Sequence, residues 1–223
     1  MQSIKTENGT LAVLADVHAV EGEESERVLR NLLEQLSATD DDVVFLGDIM
    51  DLWIGLPRYE CKLQRDFLDW CRQEKARRKI YFVEGNHEYY VAKSHKDVFF
   101  MASEDNIEIN GVYFAHGHKI QGSPFGFNRI FCGFAKSGFA CFIMRIMPFG
   151  VRFARWLKGL LGSGHKCTYV PRAAIEKWLL KQKAMTCVLG HFHEATEICI
   201  EQRKAILLPM TKEKDEVSED KRS

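Results

Sequence analysis

The chain has 223 residues, 46% apolar and 28% charged, with 31 basic and 31 acidic side chains in formal balance. This length and apolar fraction allow one large domain with a sizeable core and exclude a disordered or collagen-like chain. The absence of net charge excludes a global field that recruits nucleic acid, and no nucleic-acid partner is expected. Seven cysteines, odd in number and without a CxxC pair, point to reduced thiols in a cytoplasmic protein rather than a disulfide framework or a zinc-thiolate site. Residues Met1 to Glu7 lack the apolar core of an export signal.

In chain order, Thr10 to Ala15 is a short apolar strand that ends in Asp16-Val17-His18. Residues two apart in extended chain share a face, so Asp16 and His18 are expected to converge. Glu23 to Leu36 carries Val28, Leu29, Leu32, Leu33 and Leu36 at helical spacing, with acidic residues early, as an amphipathic covering helix does. Val43 to Leu46 is apolar without alternation, the pattern of a strand buried on both faces. It stops at Gly47-Asp48-Ile49-Met50-Asp51, which sets two carboxylates at the carboxyl end of a strand, where α/β sheets bind ligands.

A helix is expected from about Glu60 to Lys79, then a strand over 79–83 that leads into Glu84-Gly85-Asn86-His87-Glu88. Asn110-Gly111 between 107–109 and 112–115 predicts a hairpin whose second strand delivers His116-Gly117-His118. Pro171 opens a helix to about Lys183. A strand over 186–189 ends in Gly190-His191-Phe192-His193, again two histidines at period two, before a closing hairpin of 196–200 and 205–208. Residues 212–223 read as a charged, disordered tail.

One stretch has a different chemistry. From Gly111 through Ile175 there is no Asp or Glu, while Arg and Lys recur among many phenylalanines. Pro124 and Pro148 suggest helices at about 125–146 and 149–161. Arg129, Lys136 and Arg145 interrupt the stretch too often for a membrane span. Two readings stay open: an interfacial membrane segment, or a helical cap packed on its own domain.

Collected in order, the strand-end residues are Asp16, His18, Asp48, Asn86, His116, His191 and His193. These oxygen and imidazole donors suit two octahedral-type divalent ions, manganese foremost, with iron or zinc as alternatives. The series Asp-x-His, Gly-Asp-x-x-Asp, Gly-Asn-His-Glu, His-Gly-His and Gly-His-x-His resembles the calcineurin-like metallophosphoesterases, over Asp16 to His193. That resemblance implies an α/β fold, a four-layer α-β-β-α sandwich. It implies a first ion held by Asp16, His18, Asp48 and His193, and a second by Asp48, Asn86, His116 and His191. It further implies phosphoester hydrolysis by a hydroxide bridging the two ions, with His87 at the leaving oxygen and Asp51 accepting a hydrogen bond from its other ring nitrogen.

Leu46 to Gly55 also resembles the second motif of the UDP-2,3-diacylglucosamine diphosphatases of lipid A synthesis, which carry a helical insertion where this chain has Phe125 to Leu161. The implied organisation is a catalytic domain over residues 1–211 with a lipid- and membrane-facing cap at 122–165. The implied substrate is a phosphorylated lipid, at the anionic cytoplasmic face of an inner membrane. The alternative within the same fold is a cytoplasmic nucleotide phosphodiesterase or phosphatase. His87 stands where the best-known members of that lipid family have Arg, and His118 where they have Asp. A proton donor at position 87 suits esters with poorer leaving groups than a diphosphate.

Overall fold

Two five-stranded sheets lie face to face in the computed structural model of the chain. The structure describes residues 1–6, 9–120, 138–146, 150, 152–153, 156 and 170–211. The first sheet contains β1 (Gln2–Thr6), β2 (Gly9–Leu14), β3 (Asp42–Leu46), β5 (Ile80–Val83) and β7 (Met101–Ser103), in the order β1-β2-β3-β5-β7. All its pairings are parallel except the β1–β2 hairpin. Between its strands run β4 (Trp53–Ile54) and β6 (Glu88–Tyr89), which pair in parallel as a separate two-residue ribbon. The second sheet contains β8 (Asn106–Ile109), β9 (Val112–Ala115), β10 (Thr186–Leu189), β11 (Thr196–Ile200) and β12 (Arg203–Leu207), in the order β11-β12-β10-β9-β8. The described helices are α1 (Glu24–Ser37), α2 (Lys62–Glu74), α3 (Val91–Ser94), α4 (Gly138–Ile146) and α5 (Arg172–Leu179).

Side-chain alternation along the strands makes the layers. On the outer face of the first sheet, Leu14, Phe45 and Phe82 pack against Leu29 and Leu36 of α1 and Phe67 of α2. On its inner face, Val13, Val44 and Val83 meet Ile107, Phe114, Val188 and Ile206 of the second sheet. The far face of the second sheet is closed by Ile175 and Leu179 of α5 against Leu189 and Leu207. The expected four-layer α-β-β-α order is therefore the observed one. Burying each of these large side chains contributes about 1.5–3 kcal/mol, which explains why the sheet centres read as uninterrupted apolar runs.

Some boundaries differ from the sequence reading. The helix expected over 60–79 occupies Lys62–Glu74, and the one expected over 171–183 ends at Leu179. The strand β1, the short β4–β6 ribbon, β7 and α3 have too few residues to show a period, and the sequence reading passed over them. The Arg- and Lys-rich end of the 60–79 segment suits the negative end of its own helix. Instead the buried Arg78 reaches across: its Nη2 donates to Leu36 O at the end of α1 (2.7 Å) and its Nη1 to Asp41 O (3.1 Å), with Glu74 as its ion partner. Of the expected helix at 125–146 the described part is α4; most of the cap at 122–165 and the tail at 212–223 lie outside the described residues.

Arg78 thus ties the end of α1, the turn before β3 and the end of α2 with charge-assisted bonds in a buried setting. Truncation leaves Glu74 and two carbonyls without that partner, a class of change that costs about 3–5 kcal/mol. Arg78→Ala is expected to lower the free energy of unfolding by about 3 kcal/mol in a urea titration while leaving the site residues in place.

Candidate metal centre

The carboxyl ends of β2, β3, β5, β9 and β10 deliver the motif loops to one edge of the two sheets. The first two loops run side by side. Asp16 N–H donates to Gly47 O (3.1 Å), His18 N–H to Asp48 O (3.0 Å), Ala19 N–H to Ile49 O (2.9 Å), and Asp51 N–H back to Ala19 O (3.1 Å). The approach is close enough to require glycine in two places. A Cβ on Gly85 would stand 2.1 Å from Asp48 Oδ1, and one on Gly47 would stand 2.6 Å from His116 Nδ1.

Convergence does not arise from extended chain, as the period-two argument held. Asp16 (φ 55°), His18 (51°), Asp48 (52°), His191 (69°) and His193 (57°) all sit in the left-handed region. Such non-glycine conformations cost roughly 1–3 kcal/mol each and persist only where the surroundings over-determine them. The consequence is clearest at the last motif. His193 gathers with Asp16 and His18, whereas His191 gathers with Asp48 and His116, so two residues expected to face one way serve different clusters.

Both aspartates divide their oxygens in the same manner. Asp16 Oδ2 accepts the His191 N–H (2.8 Å), and Oδ1 lies 3.3 Å from His193 Nε2. Asp48 Oδ1 accepts the His87 N–H (2.9 Å), while Oδ2 lies 3.2 Å from His116 Nε2, 3.8 Å from His87 Nε2 and 4.0 Å from His18 Nε2. One oxygen fixes the carboxylate and the other turns inward. Asn86 Oδ1 joins the second cluster, 3.2 Å from His116 Nε2. His116 Nδ1 donates to Leu46 O (2.9 Å), which leaves its Nε2 facing the site. Two of the inward atoms, Asp16 Oδ1 and His18 Nε2, are buried without a hydrogen-bond partner. Orphaned donor atoms of oxygen and imidazole type, gathered within 4.8 Å of one another in each cluster, fit divalent cations.

Burial and charge set the protonation of the imidazoles. Burial pushes His18 down to about 4 against the pull of Asp48, and burial together with His116 does the same to His191. Both are neutral over the physiological range. Burial also opposes charge on His116, but the Asp48 carboxylate outweighs it and moves His116 up, with Asp48 moved down in turn.

The hydrogen bond expected between Asp51 and the other ring nitrogen of His87 is present, and its acceptor is the main chain. His87 Nδ1 donates to the main-chain carbonyl of Asp51, not to its carboxylate. The Asp51 carboxylate instead shares a cluster with His18 and His87. The tautomer of His87 is still fixed, because a carbonyl can only accept. Glu88 is the residue the sequence reading left unassigned. Fully buried, it accepts the N–H groups of Asp48 (2.8 Å), Ile49 (2.8 Å), Met50 (3.4 Å) and Gly85 (2.7 Å), so one carboxylate folds two motif loops together. Burial and the neighbouring Asp48 push its pKa up to about 7. Its position directly after the Asn-His pair was the available signal.

Gly85→Ala places a methyl group against Asp48 and forces the two loops apart. Loss of at least about 100-fold in turnover is expected, together with loss of bound metal by elemental analysis, while far-ultraviolet circular dichroism stays close to the parent's.

No curated protein matches the chain. Among solved structures, an archaeal phosphodiesterase is 12% identical, over 89% of this chain and 82% of its own, with a TM-score of 0.46. A predicted phosphoesterase of Streptococcus pneumoniae is 13% identical, over 89% and 71%, with a TM-score of 0.39. The Vps29 protein of Entamoeba histolytica is 11% identical, over 88% and 72%, with a TM-score of 0.42. Residues 9–195, which include every motif loop described above, match the calcineurin-like phosphoesterases, and the chain belongs to that family of metal-dependent phosphohydrolases.

Proposed function

We propose that the chain hydrolyses a phosphoanhydride or phosphoester with two divalent ions. Asp16, His18, Asp48 and His193 would hold one, and Asp48, Asn86, His116 and His191 the other. The observation that carries this reading is the placement of Asp48 Oδ2, within 4.0 Å of His18 of the first cluster and 3.2 Å of His116 of the second. A single carboxylate between two dications offsets the charge of both. The ions supply Lewis-acid polarisation of the phosphoryl group and an activated water. The donor set contains no thiolate, which favours manganese, with iron or zinc as alternatives.

The chain's own residues orient the reaction. His87, with its Nδ1 proton committed to the Asp51 carbonyl, presents Nε2 3.8 Å from the Asp48 carboxylate; with a second proton on Nε2, as the imidazolium, it would donate to the departing oxygen. Asp51 is a positioning residue through its main chain.

For the substrate, the reading is an amphiphilic phosphate, with the diphosphate of UDP-2,3-diacylglucosamine as the specific candidate, cleaved to UMP and a lipid phosphate. Its support is α4. That helix rests Cys141 and Met144 on the apolar platform of Ile54, Leu56, Tyr59 and Tyr90, and Tyr59 Oη donates to Met144 O (2.9 Å). It leaves Phe142 and Ile146 more than 60% exposed, with Trp156 equally open and Arg145 and Arg152 also exposed. Apolar rings among cations suit an anionic lipid surface, such as the cytoplasmic face of an inner membrane. No described helix is long and apolar enough to cross a membrane, so the contact would be peripheral. A nucleotide diester or monoester is the alternative substrate, favoured by a proton donor at His87.

Asp48→Asn is expected to reduce turnover at least about 1,000-fold and to drop the metal content of the purified protein below two ions per chain. Full metal occupancy with a near-normal rate would remove the bridge from the mechanism. The substrate question is settled by rates on UDP-diacylglucosamine beside nucleotide diesters and monoesters, with the lipid substrate expected to lead. For the surface, Phe142→Ser/Ile146→Ser/Trp156→Ser removes apolar area worth several times about 1.5–3 kcal/mol. Co-sedimentation with vesicles containing phosphatidylglycerol should fall at least about 100-fold. A wild-type chain that stays in the supernatant refutes the membrane reading.

A further inference from the structure

Beyond the metal centre, a cleft of about 450 Å³ opens where the 56–59 loop, α3 and α4 meet. Its floor is apolar, with Leu56 and Tyr59 buried and Met144 half-buried. Its rim carries Arg58, Lys93 and Arg145, one from each of the three walls and all exposed.

What sets these cations apart is their convergence on one cleft; Arg27, Arg30, Arg72 and Arg77, by contrast, each face a carboxylate. Among the described residues, none of Arg58, Lys93 and Arg145 has an ion-pair partner. The carboxylate nearest in sequence, Glu60, is turned into the interior. There it accepts from Trp53 Nε1 (3.2 Å) and His95 Nε2 (2.5 Å) and offers the cleft no counter-charge. The sequence around α4 supplies none either, because no acidic residue occurs from Gly111 through Ile175. Lys93 also borders a neighbouring hollow that carries Glu104 and Asp105, which offsets part of its charge; like charges around one concavity still repel one another, and a bound anion reverses that cost. The Ser94 hydroxyl, also at the rim, adds a neutral donor.

We propose that this cleft is a binding site for a phosphate group attached to an apolar body, separate from the metal centre. The cations recognise the phosphate, and Leu56, Tyr59 and Met144 receive the apolar part. Two independent phosphate sites are within reach of one ligand. The cleft wall at Leu56 lies five residues beyond Asp51, and Lys93 lies six beyond His87, along the paired strands β4 and β6. Such segments span at most about 20 Å of extended chain. Under the proposed function, the cleft would hold a part of the substrate that is not hydrolysed; binding itself does not depend on that reading.

The test is calorimetric titration of the full chain at low salt with two probes, inorganic phosphate and dihexanoyl phosphatidic acid below its micellar concentration. Wild type, Asp48→Asn and Arg58→Glu/Lys93→Glu are compared. Saturable binding of the phosphatidic acid is expected in wild type, retained within about threefold in Asp48→Asn and weakened at least about tenfold in the charge-reversed variant. Inorganic phosphate following the same pattern identifies free phosphate as a sufficient ligand; binding of the phosphatidic acid alone identifies the headgroup with its chains as the ligand. The proposal is overturned by binding that survives charge reversal, by binding lost in Asp48→Asn, or by no saturable binding in wild type. Metal analysis of Asp48→Asn reports on the metal reading independently, so failure of one is not failure of the other.

Discussion

The structure depends on keeping three carboxylates, Asp16, Asp48 and Glu88, buried at one edge of two sheets. An isolated buried carboxylate is too costly to retain its charge, and three in one place repel as well. The chain meets that cost mainly with backbone. Glu88 gathers four N–H groups, and each aspartate takes one from a neighbouring loop. The remaining oxygens of the aspartates face imidazoles. The Asp48 carboxylate, 3.2 Å from His116 Nε2, favours positive charge at that atom.

That arrangement explains the backbone conformation. An oxygen can be spared for the site only if its partner oxygen is committed to an N–H, and the N–H must come from a different loop. The loops therefore press together, with Gly47 and Gly85 at the contacts, and the functional residues accept left-handed backbone. The hydrogen bonds between the 16–19 and 47–51 loops continue the parallel pairing of β2 with β3 beyond the strands. The sheet thus extends its rigidity into the site, and the positional strain is held by elements with buried cores on both faces.

Much of this was legible in the sequence, for physical reasons. Buried parallel strands have no alternation to hide behind, so Val43 to Leu46 and Thr186 to Leu189 declare themselves by apolarity and stop at a glycine. Polar residues at those stops name the edge at which the site forms. The geometry within the edge was not legible. Period-two reasoning sends His191 and His193 the same way, and only the positive φ at both separates them into two clusters. Nor does the sequence distinguish a side-chain partner for His87 from a main-chain one, since Asp51 offers both. Glu88 illustrates a further limit: a carboxylate that binds backbone looks in sequence like one that binds metal.

The cap region joins these features to the chemistry of the surface. Its described helix, α4, is anchored by the platform that β4 and β6 support, and these two strands begin directly after the loops carrying Asp51 and His87. The same short ribbon therefore has His87 at one end and α4 at the other. Tyr90, which leads from β6 into α3, takes a left-handed backbone (φ 64°), and Gly55 lies so close to Val91 that a Cβ would come within 2.7 Å of its Cα. Ribbon, α3 and the 56–59 loop are packed backbone to backbone, so little of a displacement at α4 can be absorbed before it reaches the ribbon. Helix α4 and the loop that carries His87 are thereby mechanical neighbours, joined by a short stretch of tightly packed backbone.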